Sequence, residues 1–500
     1  MPSAPLQPPQ PARSPQPTQS PQPTQSPQPA ESSDQPPDQL PLPAGFRWGV
    51  STSAYQIEGA ADADGKGPSI WDSFTARPGA VKDGRTGRTA CDHYHRYAED
   101  VALMRGLGLD AYRFSVSWPR VQPGGAGPVN GPGLDFYDRL VDELLAAGIA
   151  PTPTLFHWDL PQQLEDAGGW LSRDTAHRFA AYAAIVADRL ADRVSSWITL
   201  NEPFVHMVYG YAFGIHAPGR TLMLDALPTA HHQLLGHGLA VAALRAAGAG
   251  EVMIANNSSP VRPAGGGAEP VDGPGRAAAE AYDILHNRLF TDPLLLGRYP
   301  DLSAFGLPDP TWGGLVRDGD LRTVAAPLDA LGINYYNPSW IAPPAGDDRL
   351  PFTVAEPPEG RYPRTAFGWP VVPEGLTELL VGLRQRYGAA LPPVLVTENG
   401  CSLVDGESAG AAADLARIAY LRDHIGAVAA AVDQGVDVRG YFVWSLLDNF
   451  EWAEGYQQRF GLVHVDFDTL KRTPRASYGW YRDLITRRRS VLHSPTSSPF

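Results

Sequence analysis

Eight times between residues 46 and 444, a short apolar, β-branched run ends in polar or aromatic residues and gives way to a helical stretch. The runs occupy residues 46–56, 111–118, 149–158, 196–202, 251–257, 330–336, 393–398 and 438–444. Amphipathic helices lie between them, such as 134–147, with Leu140, Leu144 and Leu145 on one stripe, and 373–387, with Leu376, Leu379, Leu380 and Leu383. Alternation of this kind calls for parallel strands joined by helical crossovers. Eight units in roughly 450 residues fit an α/β fold of one class, a single closed (β/α)8 TIM barrel with long βα loops, better than an open doubly wound sheet. No Gly-x-Gly-x-x-Gly turn follows any of the strands, which weakens the open nucleotide-binding alternative further.

Ahead of the barrel the texture differs. Residues 1–43 hold 15 of the chain's 50 prolines and no aromatic residue, and the unit Ser-Pro-Gln-Pro-Thr-Gln repeats from Ser14 and Ser20. Such composition predicts a disordered Pro/Gln/Ser-rich spacer with nothing to anchor it to a core. The expected organisation is therefore a tail over 1–43, a (β/α)8 barrel over 44–485 and a short C-terminal tail over 486–500.

With 43% hydrophobic residues the chain can bury a large core, yet no stretch approaches the ~20 apolar residues of a membrane span. The net charge of −14 repels a phosphate backbone and an anionic bilayer alike, so neither nucleic acid nor membrane is an expected partner. Cys91 and Cys401 are too few for a disulfide scaffold. Reduced thiols, and the lack of a basic start followed by an apolar run of about 7 to 15 residues, point to the cytoplasm. Oligomeric state leaves no mark on the sequence.

In a (β/α)8 barrel the active site lies at the C-terminal ends of the strands. Those ends supply Gln56, Arg113, His157, Trp158, Asn201, Glu202, Asn334, Tyr336, Glu398 and Trp444, with Glu451 and Trp452 following in the last loop. Sugars offer hydroxyls to amides and carboxylates and C–H faces to indoles, and this set supplies both. Left without a ligand, so many buried polar groups would cost several kcal/mol each if unpaired. The runs Ile198-Thr-Leu-Asn-Glu-Pro203 and Val394-Leu-Val-Thr-Glu-Asn-Gly400 each end in a glutamate, on what would be the fourth and seventh strands. Two carboxylates in one sugar site are what glycosidic cleavage requires: one protonates the leaving oxygen and the other attacks or activates water.

Six segments together resemble the family 1 glycoside hydrolases, the β-glucosidase and β-galactosidase group, over about residues 46–481. They are Phe-Arg-Trp-Gly-Val-Ser-Thr-Ser-Ala-Tyr-Gln-Ile-Glu-Gly from Phe46, Tyr-Arg-Phe-Ser-Val-Ser-Trp-Pro-Arg from Tyr112, Phe-His-Trp-Asp-Leu-Pro from Phe156, Thr-Leu-Asn-Glu-Pro from Thr199, Thr-Glu-Asn-Gly from Thr397 and Trp-Ser-Leu-Leu-Asp-Asn-Phe-Glu-Trp from Trp444. The resemblance implies a retaining β-glycosidase, most simply a β-glucosidase, with Glu202 as acid/base, Glu398 as nucleophile and about 5 to 5.5 Å between them. It also implies that Arg113 and Tyr336 hold Glu398 ionised and that Asn201 meets the sugar 2-hydroxyl. Gln56, His157, Glu451 and Trp452 would bind the glycone over a Trp444 platform. A broader galactosidase or fucosidase, a transglycosidase, or, in a different class, a non-catalytic sugar-binding barrel are the alternatives; loss of one carboxylate would mark the last, and both are present.

The family members that act on 6-phosphorylated sugars replace the residue at Glu451 and carry a nearby lysine, whereas this segment reads Glu451-Trp-Ala-Glu-Gly-Tyr-Gln-Gln-Arg459. Unphosphorylated β-glycosides or oligosaccharides are thus the expected small-molecule partners. Where the family commonly has tryptophan after Asn-Glu-Pro, this chain has Phe204, and Trp369 is the candidate for an aglycone wall. Cys401 reads as a small buried residue beside the nucleophile segment. His93, His95, His231 and His232 lack the companions of a metal site, and this chemistry needs neither metal nor organic cofactor.

Overall fold

Each of the eight runs is a strand: β1 (Arg47–Ser51), β2 (Ala111–Ser115), β3 (Ala150–Phe156), β4 (Ser196–Asn201), β5 (Glu251–Asn257), β6 (Ala330–Asn334), β7 (Val394–Asn399) and β8 (Val438–Trp444). They close in chain order into one barrel, every pairing parallel, and β1 seals it by running Arg47 to Ser51 alongside Gly440 to Trp444 of β8. The structure is a computed structural model that describes residues 40–265, 273–344, 346, 350–403 and 410–492, except the side chains of 410–413 and 492.

The lower barrel is plugged by carbon. Ala111, Ile198, Met253, Ala255, Ala330, Leu395 and Phe442 form a buried cluster of their own, apart from the larger core between sheet and helices. Gly49 belongs to this packing, because a Cβ there would lie 2.3 Å from the Phe442 ring. With the bottom filled, polar side chains have only the upper end in which to meet a ligand.

Outside, the helix Gly131–Ala146 buries Leu134, Leu140, Val141 and Leu144. Leu145 is 39% exposed, which corrects its assignment to the apolar stripe: Val141, four and three positions from Tyr137 and Leu144, takes that place. The helix Pro373–Tyr387 buries all four expected leucines. Two small sheets are additions: a three-stranded one from Val261–Pro263, Ser339–Ala342 and Thr353–Ala355, and a hairpin of Val463–Val465 with Arg472–Pro474. Strands of three or four residues are too short to display a period of two.

Both expected tail boundaries move. Leu40 and Leu42 are buried, and Arg488 donates through Nη1 to the Leu40 carbonyl at 2.6 Å and through Nη2 to the Leu42 carbonyl at 3.0 Å. The last four residues of the expected spacer are therefore part of the folded body. Arg488 lies on the helix Ala476–Leu492, which runs through the expected boundary at 485. The remainder of each expected tail, 1–39 and 493–500, lies outside the described residues. Among the described residues no helix is long and apolar enough to cross a membrane.

Candidate active site

Three residues of the upper rim depart from ordinary backbone geometry. Trp158, Glu202 and Trp452 hold φ of 75°, 46° and 50°, the left-handed region that side-chain-bearing residues avoid at a cost of about 1–3 kcal/mol each. All three are residues that the strand-end argument singled out. The turn at each strand end aims a side chain across the mouth instead of along the next helix. Gly400 allows a further close approach: a Cβ there would lie 1.7 Å from the Trp444 carbonyl oxygen, so only glycine lets β7 end against β8.

Arg113 organises the floor. It lies within β2, 1% exposed, and its Nη1 donates to Glu398 Oε1 at 2.5 Å while Nη2 donates to Asn201 Oδ1 at 2.5 Å. Asn334 Nδ2 donates to that same Asn201 oxygen and to Glu202 Oε1, both at 2.9 Å. With its oxygen held between two donors, the Asn201 amide must point Nδ2 toward His157, and it donates to His157 Nε2 at 3.0 Å. His157 is consequently neutral with its proton on Nδ1, which is buried and has no partner among the described residues. Burial and the Arg113 charge also push this imidazole well below its usual range.

On the other side, Gln56, fully buried in a short helix after β1, donates to Glu451 Oε2 at 3.2 Å and to the Phe450 carbonyl at 2.9 Å. Tyr336 donates to Glu398 Oε2 at 2.8 Å. The His157 ring lies near-parallel to Trp444 and Trp452 at 5.8 and 5.9 Å. Together these walls enclose about 690 Å³, with Trp158 and Trp369 also lining it. Trp369 sits 5.3 Å from the Tyr336 ring. Eight of the twelve sequence-predicted site residues line this pocket, and the other four, Gln56, Arg113, Asn201 and Asn334, stand behind it, hydrogen-bonded to Glu451, Glu398, His157 and Glu202.

The two central carboxyls differ in company. Burial and the Glu398 charge push Glu202 up to about 8, and the amides of Asn334 and Asn257 supply hydrogen bonds but no charge. Burial pushes Glu398 upward as well, against the pull of Arg113 and Tyr336. The expectation that those two residues keep it ionised is thereby narrowed: they make Glu398 the first of the pair to lose its proton. Glu451 is pushed up to about 8 by burial and by the Glu398 charge. Its side chain is accordingly largely protonated near neutral pH, so charge repulsion from Glu451 is a weaker bar to phosphorylated sugars than the sequence suggests. Among the described residues Lys82 is the only Lys or Arg lining the pocket, and its Nζ is paired with Glu454 at 2.6 Å.

Asn257 is a site residue that the sequence reading passed over. It donates through Nδ2 to Glu202 Oε1 at 3.3 Å, and its Oδ1 meets His286 Nε2 at 2.8 Å. As the last residue of β5 it obeys the same strand-end rule as the others, so the signal was present. Nothing in the sequence marks His286, which stacks on Phe204 with centroids 3.9 Å apart. The four histidines weighed as metal ligands are engaged structurally: His93 with Asp100 at 2.8 Å, His95 with Asp92 at 2.6 Å, His231 with Tyr299 and Asp320, and His232 with the Trp170 carbonyl. Burial pushes the Cys401 thiol up to about 12, so it is not a thiolate.

A parallel barrel with two buried glutamates at the ends of its fourth and seventh strands, in a polar pocket walled by indoles, has the form of a glycoside hydrolase. The sequence model of glycosyl hydrolase family 1 matches residues 38–490. The chain is 50% identical over 457 residues to thermostable beta-glucosidase B of Thermobispora bispora, covering 90% of this chain and 91% of that one. It is 44% identical over 473 residues to the bifunctional beta-D-glucosidase/beta-D-fucosidase of Bifidobacterium breve, covering 89% and 98%. Its fold matches the crystal structure of the psychrophilic beta-glucosidase BglU from Micrococcus antarcticus with a TM-score of 0.84 at 45% identity, covering 91% and 99%. The chain belongs to glycosyl hydrolase family 1.

Proposed function

We propose that the protein is a retaining β-glucosidase in which Glu398 attacks the anomeric carbon and Glu202 serves as acid and then base. One observation carries the assignment of roles: Arg113 and Tyr336 both contact Glu398, whereas Glu202 meets only amides. A nucleophile must be ionised, and a general acid must keep its proton near neutrality. In the first step Glu398 forms a covalent glycosyl ester as Glu202 protonates the leaving oxygen; in the second, Glu202 takes a proton from water, which attacks the same carbon and restores the β configuration. The free Nδ1–H of His157, the Gln56–Glu451 pair and the second hydrogen of Asn201 Nδ2 would receive the sugar hydroxyls, with Asn201 at the 2-hydroxyl, where contacts strengthen in the transition state. Trp444 and Trp452 would support the ring.

Terminal non-reducing β-D-glucosyl residues are the proposed substrate, including the short glucosides that polysaccharide breakdown releases. The relative named as both glucosidase and fucosidase favours a site that also accepts β-fucosides. Two buried free thiols favour a reducing, cytoplasmic setting. A panel of chromogenic β-glucoside, β-galactoside and β-fucoside, with the first-formed anomer read by nuclear magnetic resonance, tests this. β-Glucose as the initial product is expected; an α-anomer, or no hydrolysis of any member, would overturn it.

A further inference from the structure

Four residues of the catalytic pocket, Phe204, Tyr209, Tyr282 and Val354, also line a second cavity of about 370 Å³. Its remaining walls are nearly all carbon, with Met207, Leu227, Leu285 and Phe352 among them, and among the described residues no acidic or basic side chain lines it. Of its few hydroxyls, Tyr282 Oη is already engaged by Ser339 and His286. At its rim Phe213 is 42% and Val354 61% exposed.

The walls of this cavity are shaped by two π-helical turns, His206–Ala212 and Ile284–Arg288. Such turns are wider than α-helical ones and are found mostly where local shape serves a function. Phe204, just before the first, lies flat on His286 of the second at an interplanar angle of 10°, so the wall shared with the catalytic pocket is a fixed stack. A substrate with its sugar over Glu398 would pass this stack to reach the cavity.

We infer that the second cavity receives the aglycone, and that the substrates the enzyme favours are β-glucosides of flexible apolar alcohols, such as alkyl or acyclic terpenoid chains of about eight to ten carbons. The volume admits about a dozen non-hydrogen atoms at ~30 Å³ each. A second or third sugar would leave its hydroxyls unpartnered against these walls, which is unfavourable, whereas a hydrocarbon chain gains by leaving water. The inference rests on the β-glucosidase reading above.

The test is a series of methyl, butyl, hexyl and octyl β-glucosides, kept below micelle formation. Specificity, kcat/KM, is expected to climb roughly two- to fourfold per methylene, chiefly through KM. Leu224→Asp and Phe213→Asp, which place a charge in the cavity away from the catalytic pocket, should flatten the series and cost octyl glucoside at least tenfold while methyl glucoside is cleaved as before. Calorimetry with octyl and methyl 1-thio-β-glucosides reads the same preference without turnover. A flat series in the unaltered enzyme, equal binding of the two thioglucosides, or unchanged slopes in both variants would overturn the inference. Failure to cleave even methyl and aryl β-glucosides would instead strike at the β-glucosidase reading, and the thioglucoside affinities would still decide the cavity.

Discussion

Arg113 meets Glu398 at 2.5 Å, with both side chains almost wholly removed from water, and the same guanidinium holds the Asn201 oxygen at 2.5 Å. The cation therefore ties the end of β4 to the end of β7. Glu202, one residue beyond Asn201, is brought to the same floor but receives only amide donors. An uncompensated buried arginine would be strongly destabilising, so Glu398 also contributes to the stability of the fold.

The roles proposed for the two glutamates predict opposite stereochemistry when azide replaces water. Glu202→Ala leaves the nucleophile, so an activated aryl glucoside should still form the glycosyl ester and azide should release the β-glucosyl azide. Glu398→Gly opens room for azide to attack directly, giving the α-azide. Nuclear magnetic resonance of the products distinguishes them, and exchanged configurations would mean that acid and nucleophile are reversed.

The pH profile should carry the mark of burial. Because Glu202 is raised to about 8, it retains the proton needed for leaving-group departure up to that pH and loses it above, giving kcat/KM a basic limb near pH 8. With a 2,4-dinitrophenyl glucoside, whose departure needs no acid, Glu202→Ala should abolish that limb; its survival would assign it to Glu451, also raised to about 8. Tyr336→Phe removes a donor at 2.8 Å from Glu398, so the acid limb should move upward and kcat/KM should fall roughly ten- to hundredfold.

Discrimination against 6-phosphoglucosides should be large. A phosphate dianion placed near Gln56 and Glu451 would lose its hydration without gaining a cation, since Lys82 is already paired with Glu454 at 2.6 Å. Unphosphorylated 4-nitrophenyl β-glucoside should exceed its 6-phosphate in kcat/KM by at least a hundredfold; comparable values would contradict this reading of the pocket.

Truncation should separate the expected spacer from the residues that the fold has claimed. Removing 1–39 should leave the melting temperature unchanged. Removing 1–43 should lower it by about 3–6 °C, because Leu40 and Leu42 leave their buried places and two carbonyl acceptors of Arg488 are lost. Equal melting temperatures for the two truncations would show that the contacts of Leu40 and Leu42 contribute nothing.

The order of the eight strands, their parallel sense and the end of the barrel that holds the chemistry were all legible in the sequence, because a strand's hydrophobic run and the helix after it are local patterns. Glu202 and Glu398 were legible for the same reason, each closing an apolar run. What only the tertiary structure decided were relations between distant segments. That Asn201 turns its nitrogen to His157 depends on donors from Arg113 and Asn334, 88 and 133 residues away. That Glu451 holds its proton depends on burial and on the charge of Glu398. Leu40 and Leu42 read as tail because the donor to their carbonyls, Arg488, lies more than 440 residues along the chain. Periodicity reports which face of an element is apolar; hydrogen-bond direction, proton affinity and anchoring are set by whatever the closed barrel brings opposite.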